Sequence, residues 1–175
     1  QEHQPPLVAE NRVYLHGTGS VAVECLTPAT GEVIWRRGVI GLQRIVGLVD
    51  DRLLVKSTRG IRALDAKTGD VLWSRDLMNA LPGVAVIGAE AVLATRQILL
   101  PDRAAIEFVW LDQSTGAVTG RSELPLSARD AVMFGPMVAA EKRIWCFSNR
   151  GLGGDAQPPG NVRKIYELSP AASAP

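Results

Sequence analysis

LDAKTGDVLW, residues 64–73, has a close copy on either side: LTPATGEVIW at 26–35 and LDQSTGAVTG at 111–120. Each copy opens on Leu, carries Thr-Gly four and five positions on, and has Val two further. The glycines Gly31, Gly69 and Gly116 are spaced by 38 residues (31 to 69) and 47 residues (69 to 116). Periods of that size belong to repeat architectures whose unit is a supersecondary structure, and they exceed those of most solenoid coils.

Outward from each copy the chain breaks into apolar runs of four to eight residues. They are rich in Val, Ile and Leu and punctuated by Gly, Asp and Asn, the pattern of short strands. No segment keeps a helical period over three turns. Four runs per unit is the strand content of one blade of a β-propeller. The expected fold is therefore all-β, a partial β-propeller of about four four-stranded antiparallel blades at 5–38, 44–77, 84–124 and 135–168. The last lacks its outer strand. The end, SPAASAP at 169–175, has the small residues and prolines of a disordered tail. The native C-terminus is accordingly expected here, with further blades upstream.

Composition narrows the function classes. Of 175 residues, 46% are hydrophobic, enough for a sizeable core. The net charge of +1 gives no general pull toward nucleic acid or an anionic membrane, and the arginines form no cluster interleaved with aromatics. No apolar run reaches a membrane span, and QEHQPPL has neither the basic end nor the apolar stretch of a signal peptide. Cys25 and Cys146 are far apart in sequence, inside apolar runs and without metal-ligand spacing. Two buried thiols are the plain reading, and a bridge is left open.

The repeated residues have mechanical roles. Asp65 ends a strand, where its short carboxylate can accept from backbone N–H groups of the next loop. Gly69 can take the positive φ of a tight hairpin turn. Trp73 is large enough to fill a gap between neighbouring blades. Ala63, Asp65, Gly69 and Trp73 together match Ala-x-Asp-x-x-x-Gly-x-x-x-Trp, and this spacing resembles the tryptophan-docking motif of the pyrroloquinoline-quinone-type (quinoprotein-like) β-propeller repeat family. The first unit keeps Gly31 and Trp35 but has Cys25 and Thr27 at the other two positions. The third keeps Asp112 and Gly116 but has Trp110 for Ala and Gly120 for Trp.

Enzymes of that fold are characterised by an adjacent Cys-Cys pair, a catalytic Asp, and Glu and Asn ligands to calcium. This sequence has no adjacent cysteines and no local motif for the rest, so no catalytic, cofactor-binding or metal-binding residue is assigned. His3 is terminal and His16 precedes Gly17-Thr18-Gly19, a turn position. GLGGD at 151–155 lacks the following helix and Lys-Ser or Lys-Thr of a phosphate loop.

Two insertions remain. One falls between the second and third strands of the third unit, around LLPDRAA, and the other is RGLGGDAQPPG in the fourth. Binding residues gather on such loops, which makes Asp102, Arg103, Arg150, Asp155 and Asn161 the candidates for a partner surface. The resulting expectation is a non-catalytic protein-interaction scaffold, the C-terminal half of a larger exported protein. It has no cofactor and binds no nucleic acid, and its partner is a protein or other blades of the same chain. A periplasmic or extracellular location is what the resemblance implies. The alternatives are a fragment of a quinone-dependent alcohol or sugar dehydrogenase, and a ligand-sensing propeller attached to another module.

Overall fold

The computed structural model describes residues 5–16, 21–77, 80–87, 91–99, 104–126, 132–140, 143–150 and 164–168, with side chains in 5–16, 21–77 and 105–123. Every regular element among them is a strand. The chain divides into two compact units, one of residues 1–82 with 113–116 and one of 83–112 with 117–175.

In the first unit β1 (Leu7–Ala9), β2 (Arg12–His16), β3 (Ala22–Leu26) and β4 (Val33–Gly38) form one antiparallel sheet in sequence order. The second sheet repeats that meander with β5 (Leu42–Val49), β6 (Arg52–Ser57), β7 (Gly60–Asp65) and β8 (Val71–Asp76). The β1–β2 and β5–β6 hairpins turn on Glu10-Asn11 and Asp50-Asp51, all four at positive φ. Such paired left-handed residues match the right-handed twist of the flanking strands, and Asn and Asp tolerate them best.

The second unit holds a four-stranded sheet and a three-stranded one. The former runs β9 (Ala80–Ile87), β10 (Ala91–Leu99), β11 (Ala104–Asp112) and β12 (Val118–Leu126); the first residues of β9 fall in the first unit. The latter contains β13 (Val132–Ala140), β14 (Arg143–Arg150) and β15 (Lys164–Leu168). The fold is an all-β, partial β-propeller, and among the described residues its last sheet has no fourth strand. The terminal stretch 169–175, and with it the expected disorder, lies outside the described residues.

The core of the first unit lies between its two sheets. Tyr14, Val23, Cys25 and Trp35 from the first meet Ile45, Leu53, Val55, Leu64 and Ala66 from the second. β6 is buried from Leu53 through Ser57, as a central strand covered on both faces must be. In β4 and β8, by contrast, Trp35 and Trp73 are the buried residues, and Val33, Ile34, Val71 and Leu72 are exposed.

The cause is a bulge recurring at one place. Cys25 pairs with Trp35 but Leu26 with Val33, Ala63 with Trp73 but Leu64 with Val71, and Trp110 with Gly120 but Leu111 with Val118. Two residues of the outer strand thus oppose one step of its neighbour. Ile34, Leu72 and Thr119 are the extra residues, and the bulge re-aims the side chain that follows.

Candidate functional site

The repeated motif forms two equivalent docks, both inside the first unit. In one, the turn after β7 receives Trp35. Gly69 has φ +75°, and its N–H donates to the Asp65 carbonyl at 2.8 Å. A Cβ on Gly69 would lie 2.6 Å from Trp35 Cε3, so the indole rests directly on the glycine. Trp35 Nε1 donates to the Ala66 carbonyl at 3.0 Å, an oxygen that also accepts from Arg12 Nη1 at 2.9 Å and Tyr14 Oη at 3.3 Å. Tyr14 tilts against the indole with ring centroids 6.1 Å apart. Two residues beyond the tryptophan, Arg37 Nε donates to the Gly69 carbonyl at 2.6 Å, and its Nη2 meets Asp70 Oδ1 at 2.5 Å.

The second dock repeats these contacts one unit on. Gly116 has φ +69°, and its Cβ position lies 2.5 Å from Trp73 Cε3. Trp73 Nε1 donates to the Gln113 carbonyl at 2.8 Å, and Arg75 Nε donates to the Gly116 carbonyl. In both docks the indole therefore bonds the carbonyl three residues before the glycine. The arginine at Trp+2 bonds the glycine's own carbonyl. Asp70 gives the first dock an ion pair; Ala117 occupies that position in the second.

Asp65 holds the first turn in shape. Its Oδ1 accepts from the backbone N–H of Lys67 at 2.7 Å and of Thr68 at 2.9 Å. The Thr68 backbone bond, foremost, holds its carboxyl below the usual range. Beside it Lys67 Nζ pairs with Asp51 Oδ2 at 2.7 Å. This pair is surface-exposed and contributes little.

In the third unit the bulky partner has changed strands. Trp110, on β11, stands opposite Gly120, where the other sheets put Cys25 opposite Trp35 and Ala63 opposite Trp73. The cross-strand pair keeps one large and one small member, and Trp110 is 5% exposed. Glu107, also buried, pairs with Arg121 of β12.

The arginines at Trp+2 are absent from the motif as expected from sequence. Their signal was Trp-x-Arg, present as WRR at 35–37 and WSR at 73–75.

The loop candidates fare differently. At the ends of LLPDRAA, Leu99 closes β10 opposite Ala104 and Ala105 pairs with Ile98; residues 100–103 lie outside the described residues. The β10–β11 ribbon thus runs out to the Leu99–Ala104 pair. Arg150 is likewise no loop residue; it ends β14 opposite Val132. Asp102, Arg103, Asp155 and Asn161 lie outside the described residues, as do His3 and the 151–155 stretch.

Cys25 is a free, fully buried thiol, and desolvation pushes it above its ordinary range. Cys146 lies in β14. Among the described residues no three His, Cys, Asp or Glu side chains gather closely enough to hold a metal ion.

Comparison with known proteins agrees with this geometry. The family model described as outer membrane protein assembly factor BamB matches residues 1–153. BamB from Moraxella catarrhalis, a solved structure, superposes with a TM-score of 0.53 at 17% identity, over 80% of this chain and 40% of that one. At that identity the likeness establishes the β-propeller fold, and this chain spans 40% of the length of that relative. No curated protein matches the chain.

Proposed function

We infer the function from the premise that this chain belongs to the family of outer membrane protein assembly factor BamB: it is a non-catalytic protein-interaction scaffold, part of a larger propeller. The observation that carries the reading is where the repeated residues go. Trp35, Trp73, Gly69, Gly116 and Asp65 are all used in internal docks. Their chemistry is that of assembly, which leaves recognition to surfaces between the repeats.

The candidate surface is the end of the β10–β11 ribbon with Asp102 and Arg103, together with Arg150, Asp155 and Asn161 in the fourth unit. The partner is a protein, and the family's name places its members' work at the outer membrane, which supports a periplasmic setting. Among the described residues no helix is long and apolar enough to cross a membrane.

The test is in-cell cross-linking from a photoreactive residue at position 102 or 155, in the protein's source organism. A defined protein adduct, lost on Asp102→Ala with Arg103→Ala, is the expected result. Absence of any adduct from both positions would remove the scaffold reading. Titration with pyrroloquinoline quinone and calcium is expected to leave the melting temperature unchanged, and a saturable rise would favour the dehydrogenase alternative.

A further inference from the structure

β6 carries a lysine where the residues before it are apolar. Lys56 follows Leu53, Leu54 and Val55, and like them it is 0% exposed. Successive side chains of a strand alternate between its faces, so with Ile45 and Val55 in the core between the first unit's sheets, Arg44 and Lys56 point away from that core. Lys56 pairs with Arg44 of β5 on one side and Ile61 of β7 on the other, and Ile61 pairs with Arg75 of β8. The row across the sheet therefore reads Arg44, Lys56, Ile61, Arg75, with three cations and no carboxylate. Lys56 Nζ donates to the Ser57 carbonyl at 2.8 Å, and none of the ion pairs among the described residues includes it.

Like charges directly opposite each other on paired strands repel, and a charge taken out of water is costly when no anion opposes it. Burial, with Arg44's charge added, brings the Lys56 ammonium down to about 8. At about pH 7.5 roughly a quarter of such an amine carries its free lone pair, against about one in a thousand for an ordinary lysine. Position 56 thus holds a nucleophile shut away from water, with a guanidinium beside it as counter-ion for an anionic product.

We propose that Lys56 is a carbon dioxide site, its amine adding CO2 to become a carbamate held by Arg44. The Nζ lone pair forms a bond to the carbon of CO2, one C=O π pair moves onto oxygen, and a proton leaves Nζ for the buffer. The amine and CO2 thus give a carbamate anion and a proton, with no change of oxidation state. The reactant is small and uncharged, which suits a side chain closed to solvent. The product suits the surroundings better than the ammonium does. Its remaining N–H keeps the bond to the Ser57 carbonyl. Its two oxygens present a planar anion to the planar guanidinium opposite, and the charge at 56 turns from positive to negative. Lys67 meets neither condition, being exposed and already paired with Asp51. The site is separate from the docks and independent of the scaffold reading.

The experiment is carbon-13 NMR of the folded chain, labelled with nitrogen-15 at lysine Nζ and equilibrated with carbon-13 bicarbonate at about pH 7.5. A carbamate carbon split by a directly bonded nitrogen-15 marks a lysine adduct and excludes the N-terminal amine. One such signal is expected. It should vanish on degassing and in Lys56→Met, persist in Lys67→Met, and fall several-fold in Arg44→Gln. Lysine otherwise occurs only at 67, 142 and 164. Should Lys56→Met not fold, the chain with Lys67→Arg, Lys142→Arg and Lys164→Arg leaves Lys56 as its one lysine, and the signal must remain there. The parent's melting midpoint should also rise in bicarbonate relative to chloride at the same pH and ionic strength.

A folded parent with no nitrogen-coupled carbon signal would overturn the proposal, as would a signal undiminished in Lys56→Met or missing from the folded single-lysine chain. An equal rise of the midpoint in formate would overturn it as well, because that would mark a bound anion in place of a covalent adduct.

Discussion

Gly31→Ala and Gly69→Ala place the same side chain at nearly the same φ, +73° and +75°, in turns of the same kind. They differ in what the new methyl meets. At Gly31 no described atom lies within 4 Å, so the change costs only the left-handed strain of an L-residue, less the entropy alanine removes from the unfolded chain. That is a net loss of about 1 kcal/mol.

At Gly69 the methyl would stand 2.6 Å from Trp35 Cε3 and 2.7 Å from Cδ2. Carbon atoms pack at roughly 3.5 to 4.0 Å, so the indole must retreat by about 1 Å. A retreat of that size breaks the 3.0 Å bond from Nε1 to the Ala66 carbonyl. Overpacking costs about 1 to 3 kcal/mol and a buried hydrogen bond about 1 kcal/mol, which with the strain makes roughly 3 to 5 kcal/mol.

For a chain of this size each kcal/mol moves the melting midpoint by roughly 2 to 4 °C. Gly31→Ala should melt about 3 °C lower and Gly69→Ala about 10 °C lower or more, followed by tryptophan emission on heating and by urea titration. Equal losses for the two variants would refute the assignment of Trp35 to the Gly69 turn.

Other substitutions probe neighbouring parts of the account. Trp73→Ala removes both the indole on Gly116 and the Gln113 bond, and should cost about 3 to 5 kcal/mol in urea titration. An unchanged midpoint would contradict the second dock. Lys56 is fully buried on β6 opposite Arg44 of β5, and burial with Arg44's charge lowers its pKa to about 8.

The folded value lies below the ordinary lysine value of 10.5, so between about pH 8 and 10.5 the unfolded chain holds a proton that the folded chain lacks. Stability from this group is therefore present above the unfolded pKa and is lost as pH falls toward 8. Lys56→Met should abolish that pH-dependent difference in urea midpoint, and parallel pH profiles for variant and parent would refute the burial argument. Cys25, fully buried and with its thiol pushed up by desolvation, should react with a thiol-specific disulfide reagent only as fast as the first unit opens. Immediate labelling of Cys25 in the native protein, identified by peptide mapping, would contradict its burial.

How far the sequence carries is visible in particular residues. Thr-Gly at a blade-sized period, with short apolar runs between, marked the sheets because turn chemistry and strand period are local properties. The bulges at Ile34, Leu72 and Thr119 are not local: register depends on which strand lies alongside, and Val-Ile-Trp reads simply as a strand. Arg37 and Arg75 were hidden for a related reason. An arginine on an outer strand looks solvated until the turn it reaches, more than 30 residues away in sequence, is known to lie beside it. The β10–β11 ribbon reaches Leu99 and Ala104, closer to Pro101-Asp102 than the sequence suggested, because pairing of its apolar ends is decided across the hairpin.

The central claim is that indoles cover the turns at Gly69 and Gly116 and that no described residue covers the turn at Gly31. One glycine-selective NMR spectrum of the 175-residue chain tests it most directly. The α-protons of Gly69 and Gly116 should appear together, shifted upfield by the rings of Trp35 and Trp73, with those of Gly31 at an ordinary turn position. Three glycines at the same shift would contradict the account.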